Sequence, residues 1–134
     1  MTIIESTVEL DLPVDKVYLF LEDLNNHQQL MPENIYNWSS TTDEASFTIQ
    51  NMAKLALKIS NRVPNSEVVA IPKEKPPFDL ELKWTIEPTS NGGTVAKHII
   101  SADLNMMMKM IAAGPLQKLA DHQTKMLKEI LSKN

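Results

Sequence analysis

The sequence predicts an α+β fold in which one curled antiparallel sheet of about seven strands is closed by a long C-terminal helix, a two-layer arrangement that gives each element a partner for its apolar face. Three observations predict it. From Leu104 through Leu131 apolar residues recur at the three-and-four spacing of an amphipathic helix: Met107, Met108, Ile111 and Ala112, then Leu116, Leu119 and Ala120, then Met126, Leu127 and Ile130. From Asn34 to Asn105 the period falls to two, with turn residues at intervals. Between the first strand and that run, the spacing is again helical. At about 1.5 Å per residue the C-terminal helix is on the order of 38 Å long. That is enough to lie across a small sheet as a lid over its concave side.

Taken in order, residues 3–12 set Ile4, Ser6, Val8, Leu10 and Leu12 against Glu5, Thr7, Glu9 and Asp11, a half-buried strand. Pro13 then stands where a helix can begin, because its fixed φ suits the first turn. Val17, Phe20, Leu21 and Leu24 follow at helical spacing, Asn25-Asn26 breaks the helix, and His27 to Met31 forms a second short one before Pro32 turns the chain out. Turns fall at 42–44, 64–66, 73–77 and 90–93. Between them, Ala45, Phe47 and Ile49 share a face. So do Ala53, Leu55, Leu57, Ile59 and Val63, opposite Lys54, Lys58 and Arg62. The 78–87 segment alternates most cleanly, with Phe78, Leu80, Leu82, Trp84 and Ile86 facing the helix. Asn91-Gly92-Gly93 supplies a hairpin turn. In the return strand, 94–104, both faces are apolar and the inward one is left open.

A length of 134 residues with 43% apolar content supports one core, and 1–134 reads as a single domain. The net charge of -4, carried by twelve lysines, Arg62 and seventeen acidic residues, argues against a nucleic-acid partner, which would need a basic face. No cysteine is present for a disulfide or thiolate metal site. Met1-Thr2-Ile3-Ile4-Glu5 lacks the basic start and apolar run of a signal peptide, and nowhere do eighteen apolar residues occur together. The expectation is a cytoplasmic protein without stable membrane insertion.

Leu12-Pro13-Val14-Asp15-Lys16-Val17-Tyr18 after the first strand, Leu24, Leu30-Met31-Pro32, Ile86-Glu87-Pro88 and Gly92-Gly93-Thr94-Val95 at the last hairpin form a loose pattern over nearly the whole chain. It resembles the START-like helix-grip (SRPBCC) superfamily, specifically its small bacterial polyketide cyclase/dehydrase and lipid-transport group. The chain departs from the commoner pattern at Leu30, where relatives often carry a tryptophan. The resemblance implies a sheet curled around the long helix, with an apolar cavity between them.

Direct signs of chemistry are few. His27, His98 and His122 lack metal-ligand spacing, no serine stands in a Gly-x-Ser-x-Gly setting, and Gly92-Gly93 opens no helix. Neither metal nor cofactor is implied. His98 is the best acid/base candidate. Four of the eight methionines, Met106, Met107, Met108 and Met110, crowd the start of the closing helix and suit the wall of an adaptable pocket. The candidate ligand-binding residues are Tyr36, Trp38, Phe47, Trp84, His98, Met107, Met108, Ile111 and Gln123. Gln123 interrupts the apolar stripe and should be buried, bonded to a strand residue or to a ligand. Gly114-Pro115 interrupts the helix, so a kink is expected there, with 106–113 as a gate.

Three function classes fit. The first is a binding module for a small hydrophobic molecule such as a lipid, isoprenoid or polyketide-like compound. The second is a metal-free cyclase or dehydratase using the same cavity. The third is a protein-interaction or co-chaperone-like domain. The apolar residues on both faces of 94–104 leave room for a homodimer.

Overall fold

A computed structural model describes residues 1–51, 53–75 and 78–132, and gives no account of the Ala53 side chain. The expected inward placement of Ala53, and the Pro76-Pro77 part of the 73–77 turn, lie outside what it describes. Seven strands form one antiparallel sheet: β1 (Thr2–Leu10), β2 (Ile35–Ser40), β3 (Glu44–Ile49), β4 (Ala53–Val63), β5 (Glu67–Pro72), β6 (Leu80–Pro88) and β7 (Thr94–Ala102). Strands β2 to β7 are a meander, and β1 joins it beside β7, giving the order β1-β7-β6-β5-β4-β3-β2. Helix α1 (Val14–Leu21) and a 3-10 segment, Leu24–Leu30, connect β1 to β2, and α2 (Met106–Ser132) crosses the concave side. This is a helix-grip arrangement.

Parity places the side chains. Strand β7 pairs with β6 so that Ala96, His98 and Ile100 stand opposite Ile86, Trp84 and Leu82. The inward face left open by the sequence is therefore the even one, and Thr94, Ala96, His98, Ile100 and Ala102 are all buried. The β6–β7 turn needs glycine twice. Gly92 sits at a φ of 85°, and a Cβ on Gly93 would lie 2.5 Å from the Leu10 carbonyl oxygen.

Two bulges change parity where strict alternation would mislead. In β2 the register shifts between Tyr36 and Ser39, with Asn37 at a φ of 57°. Ile35 faces inward and Tyr36 outward by alternation, and the bulge turns Trp38 inward as well. In β4 the shift between Ile59 and Asn61 carries Val63 to the outside and brings Arg62 inward. There the Arg62 guanidinium donates to the carbonyl of Glu22, through Nη2 at 2.7 Å, and to that of Thr42 at 2.9 Å. It also pairs with Asp43 at 2.8 Å. The end of α1, the β2–β3 hairpin and β4 are thereby fastened together.

Helix α2 is one helix with Pro115 inside it. Gly114 and Pro115 lie on its exposed side, where the Ile111 carbonyl that loses its donor can be met by water. The buried face is Ala112, Leu116, Leu119, Ala120, Gln123, Thr124, Leu127 and Leu131. Extended backward at 3.6 residues per turn, that face does not include Met107 or Ile111. Those two share the opposite side with Gly114, and they are 72% and 67% exposed.

Candidate functional site

Two apolar clusters fill the space between sheet and α2. One gathers Ile4, Ile35, Phe47, Leu55, Leu116 and Leu119; the other gathers Leu10, Val17, Leu30, Trp84, Ile86 and Leu127. Between them lies a small, partly open cavity of about 40 Å³. Its wall takes Phe47, Leu57 and Ala70 from the sheet, Leu24, His27 and Met31 from the 3-10 segment and its end, and Leu119 and Gln123 from α2.

The polar end of the cavity is built from three elements. His98 on β7 is opposite Trp84 on β6, and the two rings stack with centroids 4.3 Å apart and planes at 16°. Its Nδ1 lies 3.2 Å from the Lys83 carbonyl oxygen. Burial drives the imidazole pKa down to about 3; His27 pushes the same way, and the Lys83 carbonyl and the Gln123 amide oppose it. His98 is therefore neutral at cellular pH. His27 is also buried, its Nε2 donating to the Leu21 carbonyl at 2.8 Å, and burial likewise lowers its pKa. Gln123 reaches in from α2 and donates through Nε2 to Met31 Sδ at 3.5 Å. The adjacent Thr124 shares a 2.8 Å hydrogen bond with Ser6 of β1, which fixes this turn of the helix on the sheet. Among the described residues, His98 Nε2 and Gln123 Oε1 are the buried side-chain polar atoms without a hydrogen-bond partner.

An outer cleft of about 350 Å³ lies against the same part of α2, lined by Pro32, Asn34, Pro115, Lys118, Leu119 and His122. Leu119 belongs to both spaces, and Met31 of the inner wall directly precedes Pro32 of the outer one. A drug-sized guest needs about 300–1,000 Å³, and one water about 10–15 Å³. The inner cavity is the size of a few waters, whereas the outer cleft has by itself the volume of a small-ligand site.

Of the residues singled out in the sequence, the structure brings Trp38, Phe47, Trp84, His98 and Gln123 together around the cavity. Trp38 and Phe47 stack with centroids 5.2 Å apart, and Trp38 Nε1 donates to Ser40 Oγ at 2.9 Å. Tyr36, Met107 and Ile111 lie outside the lining and are exposed, Tyr36 because Ile35 beside it takes the inward side of β2 and the other two because of the phase of α2. Met108 is half-buried and also outside it. Sequence reasoning missed His27 and Met31. Leu24, His27 and Leu30 recur at intervals of three, the spacing that aligns side chains on a 3-10 helix, and all three are buried. That spacing is the signal that could have found His27.

No family model matches the chain, and no curated protein matches it in sequence. Solved structures do resemble it. The KanY protein aligns with a TM-score of 0.79 at 13% identity, over 98% of this chain and 97% of its own. TTHA0849 from Thermus thermophilus aligns with a TM-score of 0.78 at 13% identity, over 99% of each chain. BexL, a di-domain ARO/CYC from the BE-7585A biosynthetic pathway, aligns with a TM-score of 0.75 at 14% identity, over 98% of this chain and 47% of its own. This chain thus spans about half of BexL. At such identities the likeness is one of fold.

Proposed function

We propose that this protein is a small START-like, polyketide cyclase/dehydrase-type module that binds a largely apolar molecule, of lipid, isoprenoid or polyketide-like character, between sheet and α2. One observation carries the reading: a largely apolar cavity between sheet and helix whose only unpartnered buried side-chain polar atoms, among the described residues, are two acceptors on neighbouring elements. Buried polar atoms without partners cost free energy, so their retention at the inner end of a cavity makes sense if a guest meets them. Room for the guest comes from Met31, an unbranched thioether held by one weak hydrogen bond to sulfur. Rotating it joins the cavity to the cleft.

A cyclase reading uses the same cavity and draws on the fold likeness to BexL. It gains little from His98, because a base with a pKa of about 3 is far from the near-neutral value at which proton transfer is efficient. None of the groups acting on His98 is a carboxylate. An interaction-domain reading is favoured by one observation: Met106, Met107, Met110 and Ile111 are exposed together at the start of α2. A homodimer formed on that patch would show in light scattering as twice the chain mass.

Native mass spectrometry of protein purified from its own host tests the binding reading, together with titration by an environment-sensitive apolar dye. A copurified guest, or one saturable dye site that quenches Trp38 and Trp84 emission, is the expected result. No guest and no saturable site for any of a dozen hydrophobic probes would overturn it.

A further inference from the structure

The inner end of the cavity has a definite hydrogen-bond polarity, fixed by two contacts. A carbonyl oxygen only accepts, so the 3.2 Å contact from His98 Nδ1 to the Lys83 carbonyl puts the ring proton on Nδ1. Nε2 is left with a bare lone pair. Stacking on Trp84 holds the ring in that plane. In Gln123, Nε2 donates to Met31 Sδ at 3.5 Å. Reversing the amide would set oxygen lone pairs against sulfur lone pairs, so Oε1 is the free end. His98 and Gln123 are only 1% and 2% exposed, and both free atoms are acceptors. The remaining histidine of the lining, His27, has its Nε2 proton on the Leu21 carbonyl.

From this geometry we infer that the site selects a neutral ligand terminus carrying two donor protons, as in a vicinal diol or a dihydroxyphenyl group, one for His98 Nε2 and one for Gln123 Oε1. The inference rests on the binding reading above. A carboxylate, ester or ether would place a third acceptor against two others. A cationic terminus would have the donors, but the lining contains no acidic residue to balance its charge. A single hydroxyl meets one acceptor and leaves the other unpaired.

Four probes of equal chain length separate these cases by displacement of an apolar dye: 1,2-decanediol, 1-decanol, 1,2-dimethoxydecane and decanoate. The diol is expected to bind roughly tenfold or more tighter than the dimethoxy compound, the loss expected when buried polar groups are left unpaired. Decanol should fall between them, and decanoate last. In His98→Phe and in Gln123→Leu the diol preference should shrink to about twofold, as one of two acceptors is removed. Imidazole nitrogen NMR of the unaltered protein gives a readout that does not depend on the variants folding: Nε2 of His98 should be unprotonated in the free state and its signal should move when the diol is added. Equal binding of diol and dimethoxy compound would overturn the inference and leave the binding reading standing. So would a coupling across a hydrogen bond from the Gln123 amide protons to His98 Nε2 in the free protein. Failure of the dye and of all four probes to bind would remove the binding reading and this inference with it.

Discussion

The two halves of α2 have the same sequence signal and opposite surroundings. From Leu116 to Leu131 the apolar face lies on the sheet, with Ala120 and Leu127 fully buried. From Met106 to Ile111, an equally apolar stretch, Met106, Met107, Met110 and Ile111 are all more than two-thirds exposed. The difference teaches that periodicity tells which residues of a helix can share a face, whereas burial depends on what lies beneath. Beneath the second half are β1, β7 and the 3-10 segment. The Met-rich turn precedes Ala112, where contact with the core begins, and of its three residues on the stripe Met107 and Ile111 fall on the far side while Met108 is half-buried.

The largest test of that difference is acid stability, since the docked half covers the cavity in which His98 is buried beside Gln123. The unfolded imidazole titrates near its ordinary value of about 6.5, and the folded one near 3. Between those values the unfolded chain binds a proton that the folded chain does not, so stability falls as pH drops from about 6.5 towards 3. The fall attributable to this group is several kcal/mol at about 1.4 kcal/mol per pH unit. It should be read as the difference between the unaltered protein and His98→Phe in urea denaturation at each pH. Parallel curves for the two proteins would show that the imidazole is not desolvated and that the docked half is loosely packed.

A smaller effect compares truncations across the two halves. Leu127→Ala should cost about 2–5 kcal/mol, and Met107→Ala less than about 0.5, in the same denaturation experiment at neutral pH. Comparable losses would mean that the Met-rich turn is packed against something in solution. The smallest effect is local: amides of 108–113 should exchange with solvent at least about tenfold faster than those of 119–130, a difference of roughly 1.4 kcal/mol in opening. If a bound probe slows the first set, the turn acts as a gate about Gly114-Pro115. Equal protection of both sets would erase the distinction between the halves.

The fold was legible where a side chain's neighbours are set by its own strand. Phe78 to Ile86 could be assigned an inward face from alternation alone, and Asn91-Gly92-Gly93 announced the hairpin that brings β7 back beside β6. Anything decided by one inserted residue could not be read. Asn37 and Ser60 each reverse the parity of the residues after them, which is why Trp38 faces the core although Tyr36, two residues earlier, is wet, and why Val63 came out on the wet side and Arg62 on the other. The site was half legible for the same reason. Trp84, Phe47 and Gln123 sit on regular elements and converge as their spacing implies, and His98 joins them from β7, whose inward face alternation left open. Met31 takes part only because the chain after the 3-10 segment turns it towards Gln123, a tertiary circumstance with no local signature.

Gln117, on the docked half of α2, donates through Nε2 to the Glu5 carbonyl at 3.0 Å. Glu5 belongs to β1, the first of the sheet's two outermost strands. An outermost strand offers its unused carbonyl and amide groups as a template to any passing chain, and such templating is a common start of aggregation. Here the closing helix guards one border with an amide of its own. The other border, β2, is only six residues long and is broken by the Asn37 bulge, which spoils the straight ladder that a foreign strand would need. The sheet is therefore ill suited to growing by strand addition at either end. Strand-to-strand pairing of two copies thus meets an obstacle at each border, a helix side chain at β1 and a bulge at β2.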